Sequence, residues 1–165
     1  MTILAAAIIV TRSLALTRHQ IGLRFPALRN WPFSVAVVFT GLGLGWVEYQ
    51  IIHPDSLVDT SQIGSWLVPI GAIMFTAGLM EEFVFRGILQ ATTQAAFGPI
   101  VSIIYVGALF AVLHIGHPTL LNTAFAFAVG LYFGLVTLKT ESLLAVVFAH
   151  GVLNVTALVI LPMAT

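Results

Sequence analysis

The sequence predicts an all-α fold, a polytopic transmembrane helical bundle of about five spans, and three observations carry that prediction. Of 165 residues, 59% are apolar and only 7% are Asp, Glu, Lys or Arg, against about a quarter charged in an ordinary soluble domain. The apolar residues gather into runs near the roughly 20 residues that a helix needs to cross a hydrocarbon core. Short polar links separate the runs, and in lipid only helices and closed barrels satisfy the backbone internally.

The elements follow in chain order. The opening stretch MTILAAAIIV has no basic residue before it and arginines directly after it, so it reads as a short or incomplete helix and not as a cleavable signal peptide. Arg12, Arg18, Arg24 and Arg29 precede the first run, residues 33–52, which places that end on the cytoplasmic side by the positive-inside rule. The loop HPDSLVDTSQ, with both aspartates, then falls outside, and the link holding Lys139 falls inside. The second run, residues 65–97, would be roughly 48 Å long as a helix, too long for one upright span. It must tilt, break or run along the surface. Gly78 and Gly87 are the expected break points, and Gly98-Pro99 ends it. Runs at 99–115, 119–138 and 142–161 are joined by GHP and KTE, links short enough to make them antiparallel neighbours. The chain thus divides into residues 1–64, an N-terminal segment with a basic juxtamembrane region and one transmembrane helix, and residues 65–165, the core.

Composition excludes several functions. Six basic and six acidic residues cancel, leaving no basic field to attract nucleic acid. The absence of cysteine rules out a disulfide framework, a thiolate nucleophile and Cys-ligated metal.

An ionisable residue inside an apolar helix costs about 2.5 to 3.5 kcal/mol on insertion scales, so each needs a partner, a water cavity or a function. Three groups stand out. Glu81, Glu82 and Arg86 lie in GLMEEFVFRGIL. Glu82 and Arg86 share one helical face and can neutralise each other, while Glu81 points about 100° away, without a local partner. Phe110 and His114 are four apart in the third run, and His150 and Asn154 four apart in the fifth. An imidazole and a carboxamide on one face can aim two donors at a single oxygen, as an oxyanion hole requires. With Phe97 and Gly98 taken as one membrane face, Glu81 and His114 are both roughly 24 Å deep, so they can meet. Counted from Glu141, His150 and Asn154 lie roughly 14 and 20 Å in, and tilt can bring them level.

Each group also has a plainer reading. Glu82 with Arg86 is a structural ion pair, and a single membrane histidine is as often a helix contact as a catalyst. His117 reads as interfacial, His19 and His53 as solvated loop residues, and Glu48 as reaching the interface from the end of its run. Phe83, Phe85 and Phe110 read as packing or lipid-facing residues.

In order on successive helices, Glu81-Glu82-x-x-x-Arg86, Phe110-x-x-x-His114 and His150-x-x-x-Asn154 resemble the motifs of the CAAX prenyl protease and bacteriocin-processing membrane proteases, the CPBP or Abi family. The resemblance runs over about residues 65–161, and no motif position departs from it. It implies an intramembrane endopeptidase of a bacterial or archaeal plasma membrane, with a catalytic core of four helices and a peptide or membrane-protein substrate. Glu81 and His114 would activate water, His150 and Asn154 would hold the carbonyl oxygen, and Glu82 and Arg86 would orient and balance the site. No cofactor is the favoured expectation. Zinc is the alternative, on Glu81, His114 and His150, although Asn154 is an unusual ligand and the HExxH signature is absent. A GxSG serine motif is also missing. The competing functions are a non-catalytic membrane immunity or signalling scaffold of the same fold, and a small proton-coupled transporter.

Overall fold

The computed structural model describes residues 2–56, 63–115 and 119–164. His117 and most of the acidic loop, Asp59 included, lie outside the described residues. Every regular element among those described is helical. We label them α1 (Thr2–Ser13), α2 (Trp31–Ile52), α3 (Leu67–Phe97), α4 (Pro99–Val112), α5 (Leu120–Thr140) and α6 (Leu144–Ala164). Among the described residues, four helices are long and apolar enough to cross a membrane, namely α2 with its leading turn, α3, α5 and α6. The run expected to end at residue 115 stops as a helix at Val112, after 14 residues.

The helix ends follow from local chemistry. The Nδ1 atom of His114 lies 2.9 Å from the Phe110 carbonyl oxygen, the oxygen that a helical N–H of residue 114 would use. The backbone N–H of His114 turns instead to Ala111 O at 2.9 Å, so α4 ends there. Gly98 takes φ 83° between α3 and α4, a conformation glycine adopts without strain, and Pro99 opens α4 at a position where its missing N–H leaves no bond unmade. Thr119 caps α5, its hydroxyl accepting from the Asn122 N–H.

Helix α3 does not break at its glycines. It runs continuously through Gly78 and Gly87, with the wider π-type turns at Met74–Glu81 and Phe83–Leu89. The glycines serve close approach instead. A Cβ at Gly78 would lie 2.8 Å from Val147 O on α6, and one at Gly87 3.2 Å from Ile21 O.

The bundle is built round α6, whose apolar window is 61% buried, against 17% for α2 and α3. Its main partner is α2, followed by the first half of α3, while α4 pairs with α5. The pairing of α5 with α6 expected from their short link is the lesser contact, because a glycine face draws α2 onto α6. Gly41 and Gly45 stand four apart on α2, and a Cβ at either would collide with the carbonyl oxygens of Ala149 and Leu153. Small residues at this spacing let membrane helices touch backbone to backbone. Gly43, between them, has nothing within 4 Å of its would-be Cβ. Gly45→Leu is therefore expected to destabilise the bundle by about 1 to 3 kcal/mol or more, as overpacking does. Gly43→Leu should leave it unchanged, and thermal unfolding of both variants in detergent is the check.

Large apolar side chains such as Leu67, Val68, Ile100 and Leu120 face outward, at 73% to 84% exposure, as a lipid-facing surface requires. The buried polar residues Glu82, Arg86, Gln90, Asn122 and His150 point inward.

Candidate active site

Glu82 and Arg86 are fully buried on α3, and Arg86 Nη1 donates to Glu82 Oε1 at 2.9 Å. The guanidinium lies 4.6 Å from the centre of the Phe110 ring, with Phe133 and Phe85 at 5.7 and 5.8 Å. Ring faces attract a cation most strongly where water is excluded. Phe110, Phe83 and Phe85 are thus packing residues of the interior, not of the lipid face.

Glu82 has a second partner that i,i+4 spacing does not reveal. The same Oε1 atom lies 2.7 Å from Nδ1 of His150 on α6, joining α3 to α6 through one carboxylate. A carboxylate only accepts, so the Nδ1 atom carries the hydrogen and Nε2 is the ring's other polar atom. The His150 ring also packs edge-on against Phe110, at 5.7 Å between centres, and against Phe133 at 5.5 Å. Its position is fixed from three sides.

His114 is fixed by its own turn. Since the Phe110 carbonyl can only accept, Nδ1 donates to it and Nε2 presents the lone pair. The ring centres of Phe110 and His114 are 4.9 Å apart. Asn154, one turn beyond His150, places Nδ2 3.3 Å from the His150 carbonyl. The carboxamide nitrogen has two hydrogens, so this bond leaves one for another acceptor.

Glu81, His114, His150 and Asn154 line one cavity of about 60 Å3, with Phe110 in its wall. That volume suits a few water molecules. A larger cavity of about 550 Å3 opens elsewhere, bordered by His19, Arg86, Gln90 and Thr137, and includes none of those four residues. We assign the chemistry to the smaller cavity, because proton transfer needs the acid-base groups within hydrogen-bond reach of the reacting atoms.

One wall residue departs from the sequence reading. Glu48, expected at the interface, reaches the same cavity from α2. It stands three residues beyond Gly45 and seven beyond Gly41, so the signal that would have placed it was the glycine face and not the end of the apolar run. His19 and His53 stay at the surface as expected, His19 with Nε2 2.6 Å from Arg24 Nη1, and His53 beside the Tyr49 ring.

Among the described residues, no three His, Cys, Asp or Glu side chains are grouped so as to hold a metal ion. Glu81, His114 and His150 are not grouped as zinc ligands among the described residues.

The family described as type II CAAX prenyl endopeptidase Rce1-like matches residues 63–156, a stretch that includes Glu81, His114, His150 and Asn154 and excludes Glu48. No curated protein and no solved structure matches the chain.

Proposed function

This chain belongs to the Rce1-like family of type II CAAX prenyl endopeptidases, and from that premise we propose that it cleaves peptide bonds with water activated by Glu81 and His114. It is an integral membrane protein with, among the described residues, four helices long and apolar enough to span. The observation that carries the proposal is the shared cavity, lined by the Glu81 carboxylate, the His114 imidazole and the His150–Asn154 pair.

The steps follow from these atoms. Water held in the cavity gives a proton to Glu81 while its oxygen attacks the carbonyl carbon, and the His114 Nε2 lone pair orients the water. Charge then develops on the carbonyl oxygen, to which Asn154 can donate its remaining Nδ2 hydrogen; His150, whose Nδ1 hydrogen goes to Glu82, adds a second donor only with a hydrogen on Nε2 as well. Glu82 and Arg86 do not touch substrate in this scheme. They are positioning residues that hold the His150 ring through Nδ1.

Asn154→Ala tests the oxyanion side. Its side chain bonds within its own helix, so the variant should fold. Purified protein in liposomes is given a membrane-anchored peptide, either prenylated in the manner of the family's description or unprenylated. Loss of one oxyanion donor is expected to lower kcat by about 10^2 to 10^3-fold with little change in KM. An Asn154→Ala protein as active as the wild type would remove this residue from the mechanism.

A further inference from the structure

After water has given its proton to Glu81, the leaving nitrogen still needs one of its own. A peptide C–N bond breaks readily only when its nitrogen takes up a proton, which is work for a positioned acid. Glu81 and His114 stand at the water, and His150 and Asn154 at the carbonyl oxygen. Glu82 and Arg86 are bound to each other. One ionisable side chain among the described residues lining the cavity is left over, Glu48.

Two observations show that Glu48 is built into the site. It continues the buried face of α2 formed by Ser34, Val37, Gly41 and Gly45, the face whose glycines press against α6. Its Oε2 atom is buried and has no hydrogen-bond partner among the described residues. A carboxyl oxygen in that state, inside a span, has a desolvation penalty that a hydrogen-bond partner would relieve. A leaving-group nitrogen in the cavity is such a partner.

We propose that Glu48 is the general acid of the reaction, a catalytic residue that protonates the leaving nitrogen; this rests on the hydrolytic reading of the cavity given above. As the water oxygen bonds to the carbonyl carbon, its proton passes to Glu81. As the C–N bond breaks, Glu48 in its acid form gives a proton to the nitrogen, and a carboxylic acid and an amine are released. The proton on Glu81 then returns to Glu48 across the shared cavity, so the cycle consumes only water.

The test uses the full chain in liposomes with two substrates of one sequence, the second carrying a thioester in place of the scissile amide. A thiolate leaves without a proton, the parent thiol having a pKa of about 8.5. Glu48→Gln is expected to slow amide cleavage by about 10^2 to 10^4-fold and thioester cleavage far less, raising the thioester-to-amide rate ratio. That ratio is independent of the folded fraction, since both substrates meet the same protein. An unchanged ratio, with both rates falling together or neither falling, overturns the proposal. A wild-type chain that cleaves neither substrate overturns instead the hydrolytic reading beneath it.

Discussion

Arg86→Met is expected to destabilise the folded chain by about 3 to 5 kcal/mol, the penalty for breaking a buried ion pair from one side. Both partners are fully excluded from solvent, and with Arg86 gone the Glu82 carboxylate would keep only His150. Replacing both residues with leucine should recover most of the stability, because an apolar pair of similar volume often equals or exceeds a buried ion pair. It should not recover activity, since His150 would lose the carboxylate that fixes its Nδ1 edge. Thermal unfolding in detergent, beside peptide cleavage in liposomes, separates the two effects. If Arg86→Met unfolds at the wild-type temperature, the pair does not hold the bundle as described.

Glu81→Gln is expected to do the opposite, leaving the fold and removing the chemistry. Glu81 is outside the Glu82–Arg86 pair and borders the cavity, and glutamine nearly matches its shape. The carboxamide cannot take a proton from water, so kcat should fall by about 10^2 to 10^4-fold at an unchanged unfolding temperature. A non-catalytic scaffold would show no such division. There, the variants that end function would be those that also unfold the bundle.

Much of this was legible in the sequence, for identifiable reasons. Apolar run length announces a membrane helix because lipid leaves the backbone no other partner, and the runs containing α2, α3, α5 and α6 were read that way. Glu81, His114, His150 and Asn154 were singled out because a polar side chain in such a run is conspicuous, and counting depth allowed them to meet, as they do in lining one cavity. What spacing could not report was any contact between distant segments. The bond from Glu82 to His150 joins residues 68 apart, and the local partner Arg86 had seemed sufficient. Glu48 was read by its nearness to the end of a run, while its position is set by Gly41 and Gly45 against α6. The early end of α4 depends on a His114 ring that bonds the Phe110 carbonyl, which hydropathy does not register. Gly78 and Gly87 were read as breaks because glycine weakens a helix, but here they allow close packing and the helix continues.

The central claim is that Glu81 and His114 act together on one water molecule. The most direct measurement is a double-mutant cycle on kcat, comparing Glu81→Gln, His114→Ala and the combined variant in liposomes, with folding checked for each. Residues that act as a unit are grossly non-additive, so the combined variant should be little slower than the worse single one. Losses that multiply would contradict the account, because they would mean that the two side chains contribute to the reaction separately.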